Sequence, residues 1–477
     1  MSVSTFTIVV VITYLIIVKV IGYFAHRLGT QTADDYFITA RTTGTLALLA
    51  TLLATGINGL TVTGTPAMVY EGGILFGQMF IIVGIALFLR WYYASRIWTA
   101  AQQNNFMTQA ELFSHHYKSP TILVLTIIAS ICSVFPFLII QFAAVAKIFS
   151  VITNNVITYE LSILLLAFST GFYIFFGGAR AVIWTDIFQG FIFLVIFFVT
   201  AYLFTIWAGG FSQSIETLTQ VMPEKLTFNS QNTPIFFDRV ISWTIAFFLF
   251  PHIFQRLMMG KSPKVVRKAT FGSMIIAIFI LATLLTMGIM ATATLYGEIS
   301  DRDQLLAEMY HRHWPMGGTL LVLAVFACGM STIDSVLLTL SSIFTRDIAD
   351  KLFSKPLPEK TEYTLARIIS LVTLVTVALL AMSNFGKGYL APLATFGATF
   401  AMFLLWPFIG MFSWKGATKI GVISAMGVGF FGVFVLNLAD NFWSFELPFG
   451  NATLIFFASL GTFIVVSLLT QLQNQKV

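Results

Sequence analysis

Thirteen apolar runs of spanning length follow one another along this chain, separated by short polar connections. They fall near 5–24, 44–71, 73–93, 120–148, 157–176, 183–208, 234–256, 268–295, 316–344, 363–383, 389–412, 416–437 and 451–472. About twenty helical residues cross the hydrocarbon core of a bilayer, and there every backbone group must be satisfied internally. The pattern therefore predicts an all-α polytopic membrane protein, a single integral domain over 1–477 with about thirteen transmembrane helices. Charge usage agrees: 57% of residues are hydrophobic and 10% charged, where a soluble domain carries about 25% charged residues. The mean hydropathy is +0.88. A net charge of +6 would suit nucleic acid, but the basic residues are scattered between apolar runs, so no nucleic-acid partner is expected. Cys132 and Cys328 both lie inside apolar runs, so no disulfide framework is expected. The first run lacks a basic leader and is long enough to span, which predicts a retained helix.

Loop charge predicts the orientation. With the N-terminus outside, the loops assigned inside hold 19 of the 26 Lys and Arg, and those outside hold four. One inside loop carries Arg256, Lys261, Lys264, Arg267 and Lys268, and another carries Arg346, Lys351, Lys355, Lys360 and Arg367. Lys19, Lys147 and Arg239 sit at helix edges, from which long cations snorkel. This bias predicts an outside N-terminus and a cytoplasmic C-terminus.

Two spans have interiors that a continuous helix resists. The run from 44 to 71 holds Gly56, Asn58, Gly59, Thr61, Thr63, Gly64, Thr65 and Pro66, and the run from 234 to 256 is interrupted at Phe250-Pro251-His252. Such breaks suit spans that open at mid-membrane. Five spans apart, the two must enter from opposite sides, the trace of an inverted repeat with a binding site at its interface.

Carboxylates inside apolar runs need a reason. Asp186 reads most simply as the N-cap of the run that follows it. Asp334 lies twelve residues before Arg346, roughly 18 Å along a helix, where a bare carboxylate costs about 2.5–3.5 kcal/mol. It should face a partner. Residues 328, 331, 332 and 335 fall on one helix face, and the hydroxyls of Ser331 and Thr332 there serve either helix packing or a cation.

Four segments, ATGINGLTVTGTPAMVYEGG, FYIFFGGARAVIWTDIFQ, PHIFQRLMMGKS and ACGMSTIDSVLLTLSSIFTRDI, together resemble the sodium/solute symporter family. The resemblance implies a LeuT-type core of two five-helix inverted repeats, 44–208 and 234–412, with peripheral helices at 5–24, 416–437 and 451–472. It implies a main sodium site at the carbonyls of Ala54, Ile57 and Cys328 and the hydroxyls of Ser331 and Thr332. Cys328 stands where the family usually has alanine, a change that a carbonyl ligand tolerates. A second cation position, found in some members, would comprise Asp186, Ser331, Asp334 and Ser335; a proton shared by the two carboxylates is the competing account. The solute pocket is implied beside the first break, with Asn58 and Thr61 pointing inward, Gln78 and Gln141 as polar contacts and Phe247, Phe248 and Phe250 as an aromatic gate. Lipid contact is the plainer reading of those Phe residues in a chain with 50 of them. No arginine is expected at pocket depth to clamp a carboxylate. Proline transporters of the family carry aspartate where Gly56 stands.

The functional expectation is a cell-membrane symporter coupling sodium to a small polar organic solute by alternating access, needing no cofactor beyond the ion. Proton coupling is the alternative within transport. A sensory receptor on this scaffold would call for a signalling domain, which no segment supplies. A channel would show a polar ring rather than two broken helices. An enzyme would need a catalytic dyad or metal cluster, and His26, His115, His116, His252, His311 and His313 are mostly in loops and form neither.

Overall fold

Each apolar run becomes a helix whose ends are set by local chemistry. The computed structural model describes residues 1–28, 32–228, 233–349, 357–388, 390–442 and 450–474. The chain runs through α1 (Val3–Arg27), the short α2 (Ala33–Ile38), α3 (Thr45–Gly56), α4 (Gly59–Gly72), α5 (Gln78–Gln103) and the short α6 (Gln109–Tyr117). Next come α7 (Pro120–Ile152), α8 (Tyr159–Trp207), α9 (Phe211–Val221), α10 (Thr233–Leu249), α11 (Pro251–Met258) and α12 (Pro263–Leu295). The last are α13 (Leu305–His313), α14 (Gly318–Ser342), α15 (Glu359–Met382), α16 (Leu390–Met402), α17 (Leu405–Phe412), α18 (Lys419–Phe442) and α19 (Asn451–Asn474). Serine or threonine caps α1, α2, α6, α7, α8 and α12 by accepting a backbone N–H of the first turn. α7 and α12 add Pro at their first position, where its missing N–H costs nothing.

The thirteen expected spans are all present as helix. The second span is α3 plus α4 and the seventh is α10 plus α11, so both expected breaks are observed. The fifth and sixth join in α8, whose 49 residues would reach about 74 Å if straight, more than twice a bilayer's core. They turn at Gly178, which has φ +53° and ψ −146°. A Cβ there would lie 2.7 Å from the Tyr36 carbonyl oxygen of α2, so only glycine lets the two backbones meet. α14 is the central helix: it packs against α1, α3, α7 and α8, and nearly all its residues are buried.

Ion pairs sort the loops into two groups. Arg41 donates to Phe106 O (2.8 Å) and Met258 O, Arg346 pairs with Glu111 and Glu362, Arg180 with Asp35, and Arg367 donates to Phe175 O (2.6 Å). These contacts tie the basic loops together at one end of the bundle, although Lys351 and Lys355 lie outside the described residues. At the other end Glu71 pairs with Arg302 and Glu160 with Lys387.

Three cations are buried within the bundle. Arg256, expected in a loop, is in α11 and 2% exposed, because α11 continues the seventh span to Met258. Arg90 is 4% exposed near the middle of α5, because that helix extends to Gln103, ten residues past the expected end of its span. Lys147 does not snorkel; it is buried against Asp303 (2.7 Å) and Asp301 (3.2 Å). Moving Arg90 and Arg256 inward leaves the charge bias of the loops intact.

Gly178→Ala should lower the thermal midpoint of the purified protein, by roughly 1–3 kcal/mol of stability, whereas Gly84→Ala, with open space around it, should not. Equal midpoints for the two variants would mean that the α8 turn needs no glycine.

Candidate ion and solute sites

The first break exposes backbone oxygens at the C-terminal end of α3. Ile57 is extended (φ −102°, ψ 109°), and Asn58 caps α4 by accepting the Thr61 N–H at 3.0 Å. Gln141 of α7 takes the Gly59 N–H on its Oε1 (2.8 Å) and donates Nε2 to Phe137 O (3.1 Å). The break is thus braced by polar side chains.

Against this break lies α14. Ser331 Oγ is 2.8 Å from Ala54 O and 2.9 Å from Cys328 O, and Thr332 Oγ1 donates to Cys328 O at 3.1 Å. Two hydroxyl protons thus serve two carbonyls, and both hydroxyl oxygens keep acceptor lone pairs of their own. Ala54, Ile57, Cys328 and Ser331 also line one cavity, with Leu53, Gln189 and Phe193. Four of the five residues expected at the main sodium site therefore share a cavity, and Thr332 joins them through the Cys328 carbonyl. A surplus of oxygens at a helix C-terminus, with its negative dipole end, suits a hard monovalent cation.

One helical turn on, a buried charged cluster joins α3, α8, α11 and α14. Asp186 accepts from Thr51 Oγ1 at 2.5 Å through Oδ2, while Oδ1 has no partner. Asp334 accepts from Tyr173 OH at 3.0 Å and from Ser335 at 3.3 Å. Ser335 Oγ donates to Ser331 O (2.8 Å), pairs with Thr55 Oγ1 (2.9 Å) and accepts from Arg256. Arg256 acts electrostatically on both carboxylates. Asp186 is not a cap: its helix segment starts at the Gly178 turn, two turns earlier than the sequence suggested. Asp334 does face partners, as expected. Thr51, Thr55, Tyr173 and Arg256 were not anticipated; the arginine in PHIFQR was legible as a residue but not as a buried one.

A second cavity lies on the other side of the break and shares Leu53 and Ile57 with the first. Asn58, Thr61, Phe247 and Phe250 line it, as expected. The other three candidates do not. Gln141 is spent on bracing the break, and Phe248 packs edge-on against Phe408, ring centres 4.9 Å apart. Gln78, 3% exposed, is not among the lining residues. Residues not anticipated complete the lining, among them Arg90, Trp243 and His252. The expectation that no arginine reaches this depth is overturned by Arg90.

The model of the sodium:solute symporter family matches residues 36–429. The chain belongs to the sodium:solute symporter family. Among similar proteins, the sodium/proline symporter of Salmonella typhimurium is 26% identical, covering 97% of this chain and 94% of its own. The sodium/pantothenate symporter of Haemophilus influenzae is 27% identical over 88% of this chain and 87% of its own. The outward-open structure of a Na+-coupled sialic acid symporter superposes with a TM-score of 0.77 at 19% identity, covering 97% of both chains. Two further transporters align with TM-scores of 0.56 and 0.54, so the LeuT-type fold expected from the motifs is the fold observed. As a family member the chain is a multi-pass membrane transporter rather than an enzyme, and sodium is the family's coupling ion.

Proposed function

We propose that this protein couples the inward movement of sodium to that of a small polar organic solute by alternating access in the cell membrane. The observation that carries this reading is the shared wall: Leu53 and Ile57 border both the cavity beside Ala54, Cys328 and Ser331 and the cavity that Asn58 and Thr61 line. An ion drawn to Ala54, Ile57, Cys328, Ser331 and Thr332 would order the α3 terminus, and that order is felt at Asn58 and Thr61 across the break. Binding free energies linked in this way are reciprocal. Solutes named for relatives, proline and pantothenate, are small polar organic molecules. The driving force is about 2.3 kcal/mol per 100 mV for each charge moved.

In this reading 44–208 and 234–412 are the inverted repeats, with 5–24, 416–437 and 451–472 outside the core. The Asp186, Ser331, Asp334 and Ser335 cluster is a second cation position. Two carboxylates against one guanidinium leave a single negative charge, which one cation neutralises. The N-terminus faces out and the C-terminus is cytoplasmic, since the tied basic loops belong on the cytoplasmic side.

In proteoliposomes, an inward sodium gradient should drive accumulation of a solute from a radiolabelled panel. Accumulation driven by a proton gradient alone would sink the sodium reading. Ser331→Ala and Thr332→Ala should raise the sodium needed for half-maximal uptake by about tenfold or more, the worth of one hydrogen bond to a charged group; an unchanged requirement would take these hydroxyls out of the ion site. Asp334→Asn should leave Asp186 and Arg256 balanced and reduce the sodium ions moved per solute, read from reversal potentials. An unchanged ratio would remove the second position. Finally, Lys264→Cys in a Cys132→Ser background should react with impermeant thiol reagents only from the cytoplasmic side, and labelling from outside would reverse the orientation.

A further inference from the structure

Arg90 carries a charge with nothing to balance it. It stands twelve residues into α5, roughly 18 Å along a helix, and is 4% exposed. Among the described residues it forms no ion pair, and no Asp or Glu lines its cavity. Asp186 and Asp334 are not among the residues lining this cavity; the arginine that they act on electrostatically is Arg256. A guanidinium has five N–H donors, yet Arg90 has one acceptor here, the Phe247 carbonyl, and its Nε has no partner.

That single contact has a cause in the sequence. Phe247 is four residues before Pro251, which has no N–H to offer it. Arg90 supplies the missing donor, and Gln109 does the same for Leu249 O at 2.9 Å. The guanidinium is therefore anchored to the second broken helix by one edge, with its remaining donors uncommitted at the cavity. His252 lines the same space, stacked on Phe137 at 5.6 Å between ring centres, with Nδ1 unpartnered. The rest of the lining is largely apolar, including Leu52, Phe76, Met79, Trp243 and Ile280.

We propose that Arg90 selects the solute: the cavity takes a small monocarboxylate with an apolar body, its carboxylate on the Arg90 guanidinium and its body among the apolar side chains. A buried unpaired cation in a membrane is costly, and a carboxylate offers two oxygens in the geometry that the guanidinium fork matches. A cationic solute would be repelled, and a neutral one would leave the charge unpaired. This inference rests on the symport reading for its cavity and deepens it by naming the substrate class.

The test uses the purified full chain, with and without sodium, and three matched acid and amide pairs: benzoate with benzamide, phenylacetate with phenylacetamide, and hexanoate with hexanamide. Benzylamine and chloride are the controls. Half-saturating concentrations are read from thermal stabilisation and from competition for uptake in proteoliposomes. In the wild type at least one acid should act at a concentration about tenfold or more below its amide. Arg90→Gln should bring that ratio to about one, and Arg90→Lys should restore part of it, with folding of each variant checked by circular dichroism. Amides or benzylamine matching the acids, no acid acting at all, a response to chloride alone, or an undiminished ratio in Arg90→Gln would each overturn the proposal. If Arg90→Gln does not fold, the wild-type acid-to-amide ratio still decides. Acid preference without any sodium dependence would sink the symport reading and leave the role of Arg90 standing.

Discussion

In hydrocarbon, a backbone carbonyl released from its helix must meet another donor or a cation. Much of this molecule follows from two places where that happens. At the first break the carbonyl of Ala54, at the end of α3, gathers with that of Cys328 on α14 and with two hydroxyls that keep acceptor lone pairs of their own. At the second, Pro251 releases the Phe247 carbonyl and Arg90 answers it. The first arrangement leaves an appetite for positive charge and the second brings a positive charge in. On the proposed reading, ion and solute preferences arise from opposite solutions to the same backbone problem.

The two solutions are coupled by packing. α3 contributes to both cavities, and Leu53 and Ile57 belong to both linings. Gln141 of α7 braces the break from behind by accepting the Gly59 N–H at the start of α4. α14, buried along almost its whole length, carries Cys328, Ser331, Thr332, Asp334 and Ser335 on successive turns, which stacks the ion cluster directly above the charged cluster around Arg256. A rigid helix lined with hydroxyls at helical spacing provides several oxygen positions at fixed separations without loosening the bundle.

The charged cluster also shows how a membrane interior tolerates acids. Asp186 and Asp334 are fully buried, yet each has a hydroxyl donor, and Arg256 lies within electrostatic reach of both. Charges of this kind persist only where partners converge from several helices, here α3, α8, α11 and α14. Their cost in the bilayer falls because they are satisfied together, not one by one.

Spans, breaks and the oxygen-rich face of α14 were legible because they depend on short-range facts: run length, the missing N–H of Pro251, the conformational freedom of glycine, and the 3.6-residue period that aligns Cys328, Ser331, Thr332 and Ser335. Asn58 and Thr61 beside the break were legible for the same reason. Where a side chain sits within the bundle was not. Arg256 read as a loop cation because it lies at the end of an apolar run, and no arginine was expected at pocket depth; only the continuation of α11 and α5 carries Arg256 and Arg90 into the interior. Gln141 and Gln78 looked like solute contacts because they are polar in apolar runs, but Gln141 is spent on the Gly59 N–H and Gln78 is not among the residues lining the cavity. Asp186 looked like a cap until the turn at Gly178 moved the start of its segment. Periodicity and backbone chemistry are written locally, whereas the partner of a buried polar group is chosen by whichever helix packs against it, and that is decided only in the tertiary structure.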